Sequence, residues 1–106
     1  MSERIDARKR EAIDASVTWF ANEMTTVLLD PKNLAKDPWD YCSDVYLINS
    51  MTKALIDVQD NTKQVATKDN LAARIKECAD VANIAMFIAS NAYHLLTELE
   101  EEEASL

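Results

Sequence analysis

The sequence predicts an all-α protein, and three observations carry that prediction. The chain of 106 residues contains no glycine. Its apolar residues recur at steps of three and four in three long stretches, the spacing of one helical face. Its two prolines, Pro31 and Pro38, sit close together and leave the rest of the chain free of breakers. Without glycine's access to positive φ, phosphate loops, dinucleotide fingerprints and tight primed hairpins lose their usual residue. The length predicts one domain spanning 1–106, burying roughly two-thirds of its unfolded surface.

Ser2 can cap a first helix that runs to about Leu29. Ile13, Val17, Phe20, Met24 and Val27 form its apolar stripe. Asp30-Pro31 ends it, because a residue before proline avoids the α region. A connector of about a dozen residues follows. The second helix is capped either by Asp37, with Pro38 at the first helical position, or by Ser43. Its stripe is Val45, Ile48, Met51, Leu55 and Val58, and it ends around Asp60-Asn61.

Residues 62–68 are polar and read as a loop or a frayed turn. Asp69 then caps the third helix, which at 1.5 Å per residue spans roughly 48 Å to Glu100. A domain of this size has a radius of gyration of only about 13 Å. The acidic run Glu100–Glu103 opposes the helix macrodipole, so 98–106 is expected to fray. This helix has two apolar faces. Cys78, Ala82, Ala85, Ala89 and Ala92 make a seam of small residues; Val81, Ile84, Ile88, Leu95 and Leu99 make a bulkier stripe. Three helices cannot cover both along the full length. The expectation is a homodimer or higher oligomer with a four-helix-bundle core.

Charge and composition exclude several partners. A formal net charge of -8 disfavours DNA and RNA, whose binding needs lysine and arginine to displace counterions. No apolar run is long enough to span a membrane, and the charged segment Met1–Glu11 does not resemble a signal peptide, so a cytoplasmic location is expected. Cys42 and Cys78 read as reduced core residues. With His94 as the only histidine, the inventory cannot build a structural zinc site.

One narrow polar strip lies between the apolar faces of the third helix: Lys76, Asp80, Asn83, Phe87, Asn91 and His94, with Glu77 at its edge. Glu77 and Asp80 are three residues apart, so their carboxylates can converge on a cation such as Mg²⁺, which takes oxygen ligands. The same strip also reads as the wet side that any helix needs. Phe87 fits a packed contact or a surface for stacking a base.

The stretch Glu77-Cys78-Ala79-Asp80-Val81-Ala82-Asn83-Ile84-Ala85-Met86-Phe87-Ile88 resembles the C-terminal motif of small MazG-like proteins, many of them phage-encoded. These belong to the all-α NTP pyrophosphohydrolases. Met24, Lys36 and Trp39 fall in the order of a Met…Lys…Trp segment of such phage members. The similarity spans roughly Phe20 to Asn91. It implies a helical dimer or tetramer that binds a nucleoside triphosphate through Mg²⁺ and releases pyrophosphate. The family pairs Glu-x-x-Asp with Glu-Glu-x-x-Glu on the preceding helix. Here Ser50-Met51-Thr52-Lys53-Ala54-Leu55 stands there, without its glutamates and with Lys53 near the expected cation position. Asp57 and Asp60 could compensate only in a different register. Metal-assisted hydrolysis needs ligands that hold the ion and clamp the transferring group.

The leading expectation is therefore a MazG-like protein that binds a nucleotide or nucleotide-derived signal, with hydrolysis impaired or lost. Lys36 and Lys53 are the phosphate candidates, Trp39 and Phe87 the stacking candidates. Asn83 and Asn91 are further polar contacts, and Glu77 and Asp80 the Mg²⁺ candidates. One rival is an active Mg²⁺-dependent pyrophosphohydrolase. Another is a non-enzymatic helical oligomer that binds and inhibits a host protein, acting in the host cytoplasm if phage-encoded.

Overall fold

A computed structural model describes the backbone of residues 2–36, 39 and 42–105, with side chains from Asp6 onward. Among these residues the chain is all-helical, with no strand. It contains four helices rather than three: α1 (Ser2–Leu28), α2 (Pro31–Leu34), α3 (Asp44–Thr62) and α4 (Lys68–Ser105).

The additional helix follows from the chemistry of Asp30-Pro31. Asp30 is extended at φ -59° and ψ 133°, and its side chain accepts from the Lys32 N–H. Pro31, with no N–H to satisfy, begins α2. The dipeptide that ends the first helix thus also starts the next one. Asp37-Pro38, for which the same role was expected, lies outside the described residues. Ser43 caps α3, its hydroxyl accepting from the Tyr46 N–H at 3.2 Å. At the other end, Arg74 donates to the Asn61 side chain at 2.9 Å and to its carbonyl at 3.2 Å. The α4 cap is Thr67, two residues earlier than the expected Asp69: its hydroxyl accepts from the Asn70 N–H at 3.1 Å.

α4 is the spine. α3 packs against it and so does α1, but α1 and α3 do not pack on each other. α3 runs antiparallel to α4, with Asn61 at Arg74 and Cys42 and Asp44 beside Asn91 and His94. α1 runs in the same sense as α4: Phe20 lies near Ile75 and Cys78, and Met24 lies at Asn83. Val27, Leu47 and Ala79 are buried, with Ala79 completely so. Alanine at that point takes up little room, so a neighbouring helix can come close to α4.

The consequence is an open molecule measuring 58 × 47 × 23 Å, with a radius of gyration of 17.8 Å. The longest dimension matches the 38 residues of α4 at 1.5 Å each. α4 also stays helical through Glu100–Glu103 to Ser105, where fraying was expected. Ala85, Ala89 and Ala92 of the small-residue seam are exposed. Cys42 and Cys78 are half-buried rather than core residues. No helix among the described residues is long and apolar enough to cross a membrane.

Candidate functional site

The candidate site lies where the connector after α2 returns to α4. Lys36 ends the turn that follows α2, and Trp39 reaches back to Phe87 of α4. Their rings stack with centroids 4.7 Å apart and planes 8° apart. Trp39 keeps an exposed side and Phe87 is half-buried, so the pair presents an aromatic surface.

About two turns earlier on α4 stands Asp80. Burial raises its carboxyl pKa above the ordinary value, since a desolvated carboxylate favours its neutral form. Lys76 and Lys36 pull it back down, and Asp57 of α3 pushes it further up. The fold therefore gathers Lys36, Asp57, Lys76 and Asp80 from three separate segments. Asp57, one of the two acids expected to compensate only in a different register, comes near enough to Asp80 to act on its charge. Lys53, expected near the cation position, is exposed and is not among the charges acting on Asp80. The signal for Lys76 was its membership of the polar strip; Asp57 carried none without the helix pairing.

Asn83 is not a wet-face residue. It is only 3% exposed and donates from Nδ2 to the Met24 carbonyl of α1 at 3.1 Å. Its Oδ1 and the Glu77 Oε2 are both buried acceptors with no donor. Two unsatisfied acceptors thus flank Asp80 on neighbouring turns, and each is costly to leave so. Asn91 is further along, in an open groove with Cys42, Asp44, His94, Leu95 and Glu98. His94 is exposed and lies edge-on to Tyr93.

No three metal-capable side chains come together among the described residues, and the cations acting on Asp80 are lysines. The arrangement offers an aromatic face, two ammonium groups and a set of acceptors within a few turns of one helix. That set defines a class: an open, all-α protein with a polar and aromatic site on its central helix. Comparison with family models, with curated proteins and with solved structures finds no match to this chain.

Proposed function

We propose that this chain is a MazG-like nucleotide-binding protein that holds its ligand where the connector meets α4 and does not cleave it efficiently. The observation that supports this most is the placement of Lys36 and Trp39 against Asp80 and Phe87. A nucleotide needs a π face for the base, donors for its acceptors, acceptors for its amino groups, and positive charge for phosphate. The exposed side of Trp39 offers the first. Lys36 and Lys76 offer charge as mobile ammonium groups. The half-buried carboxyl of Asp80 offers an acceptor to a ligand rich in N–H groups. Phosphate is met by lysine in this proposal, and no hydrolytic step is routed through Mg²⁺. The protein works as a homodimer or higher oligomer, since long stretches of α1 and α4 leave their apolar stripes uncovered.

Calorimetry with ribo- and deoxyribonucleoside mono-, di- and triphosphates, in Mg²⁺ and in EDTA, tests the proposal. Binding in both buffers, lost in a Lys36→Glu, Trp39→Ala double variant, is expected. Failure of the whole panel to bind overturns it. Robust Mg²⁺-dependent pyrophosphate release, abolished by Asp80→Asn, overturns the loss of catalysis and favours the active pyrophosphohydrolase.

A further inference from the structure

The apolar stripe of α1 is covered for only half its length. Phe20, Met24 and Val27 face the chain's own α4 or are sheltered by it, yet every described side chain from Asp6 to Trp19 is exposed. Ile13 and Val17, on the same stripe, are 58% and 61% exposed. α4 repeats the pattern. Val81, Ile84 and Ile88 are sheltered, but from the groove at the start of α3 onward, Leu95 and Leu99 are 58% and 57% exposed. A single helix standing alone in water is marginal even with good propensity. Two such overhangs on one chain need cover.

We propose that each overhang covers the other, reciprocally, between two copies of this chain. The proposal rests on the homo-oligomer reading and adds its interface. The register comes from spacing. Arg10, Ile13 and Val17 lie on one face at steps of three and four. Leu95, Leu99 and Glu102 lie on one face at steps of four and three, the same pattern reversed. Laid antiparallel, Ile13 meets Leu99 of the partner subunit, Val17 meets Leu95 of the partner subunit, and Arg10 meets Glu102 of the partner subunit. One step further, Phe20 faces the small Ala92 of the partner subunit. The existing Arg10–Asp14 pair at 3.5 Å is fully on the surface and holds Arg10 only weakly.

Charge selects the antiparallel sense. Arg8-Lys9-Arg10 is a run of three cations, and Glu100–Glu103 a run of four anions that opposes its own helix dipole. Side-by-side parallel α4 helices would bring two acidic tails together. The reciprocal arrangement separates the tails and sets each beside cations. Because α1 and α4 run in the same sense within one chain, a two-fold axis completes both contacts at once, and the surface closes on itself.

The area agrees. A folded monomer of 11.9 kDa exposes about 6,000 Å² by the scaling of surface with mass. This chain exposes 8620 Å². The difference is about 2,600 Å² per copy, and permanent dimers bury on the order of 1,000–2,500 Å² per copy.

The test uses the full chain and two readouts. In a Cys42→Ser, Cys78→Ala background, Ile13→Cys protein is mixed with Leu99→Cys protein and oxidised. In parallel, sedimentation follows wild type, Ile13→Glu, Leu99→Glu and, on the other face of α4, Met86→Glu. Far-UV dichroism confirms that each variant stays helical. A dimer at tens of micromolar, weakened at least tenfold by Ile13→Glu and by Leu99→Glu but not by Met86→Glu, supports the proposal, as does a cross-link between the mixed chains. A dimer indifferent to both glutamates overturns this interface while leaving the homo-oligomer standing. A monomeric wild type overturns both and leaves the overhangs to a foreign protein.

Discussion

Trp39 lies parallel to Phe87, centroid to centroid at 4.7 Å, and this stack is what pins the connector to α4. An aromatic pair of this geometry contributes about 0.5–1.5 kcal/mol beyond the area it buries. Trp39→Ala should therefore lower unfolding stability by about 1–2 kcal/mol, and Trp39→Phe by less. Urea denaturation followed by far-UV dichroism measures both. If Trp39→Ala leaves the midpoint unmoved, the connector is not held by the stack.

Asp80 gives the protein a specific pH dependence. Its carboxyl pKa is raised above 3.8, first by burial, so the folded state binds this proton more tightly than the unfolded state. Stability from this group is present below the unfolded value and is lost as pH rises through the folded one. Asp80→Asn should remove that loss, leaving the variant more stable than wild type at neutral pH and similar to it well below the unfolded value. Denaturation midpoints from about pH 3 to about pH 7 decide it. A variant less stable than wild type at neutral pH would show that Lys36 and Lys76 outweigh burial.

Asn83 joins α1 to α4. Losing its bond to the Met24 carbonyl should reduce stability by about 1–2 kcal/mol in Asn83→Ala. Asn83→Asp should do worse, because it turns the donor into a buried carboxylate facing a carbonyl. Chemical denaturation ranks the two, and equal stability of Asn83→Asp and wild type would sink the assignment.

Ala79 and Ala85 make a contrast within one helix. Ala79 is completely buried, so Ala79→Leu should destabilise by about 1–3 kcal/mol through overpacking against α1. Ala85 is exposed, so Ala85→Leu should stay within about 0.5 kcal/mol of wild type. Thermal melts at low concentration compare them. A large loss in Ala85→Leu would reveal that this part of the seam is covered.

Local signals proved readable where local chemistry is sufficient. Ser43 capped α3 because a hydroxyl three residues before an N–H reaches it in any context. Pro31 ended α1 because its ring forbids the α region to Asp30. The same pair then opened α2, which the sequence hid behind a reading of Asp30-Pro31 as a stop alone. Thr67 rather than Asp69 capped α4, a choice between two competent residues that flanking hydrogen bonds made.

By itself, the sequence determined that the chain is helical, where its long helices lie, and that α4 carries more apolar surface than a compact monomer can hide. Periodicity and the absence of glycine suffice for these, since they act through neighbours a few residues apart. It also placed Asp80, Asn83 and Phe87 on one strip. Only the tertiary structure decided that these three have different surroundings. The sense and register of α1 and α3 on α4 bury Asn83 against Met24 and set Asp57 near Asp80. The path of the connector lays Trp39 on Phe87 and leaves Lys53 outside. Those outcomes depend on contacts between residues tens of positions apart, which no local spacing encodes.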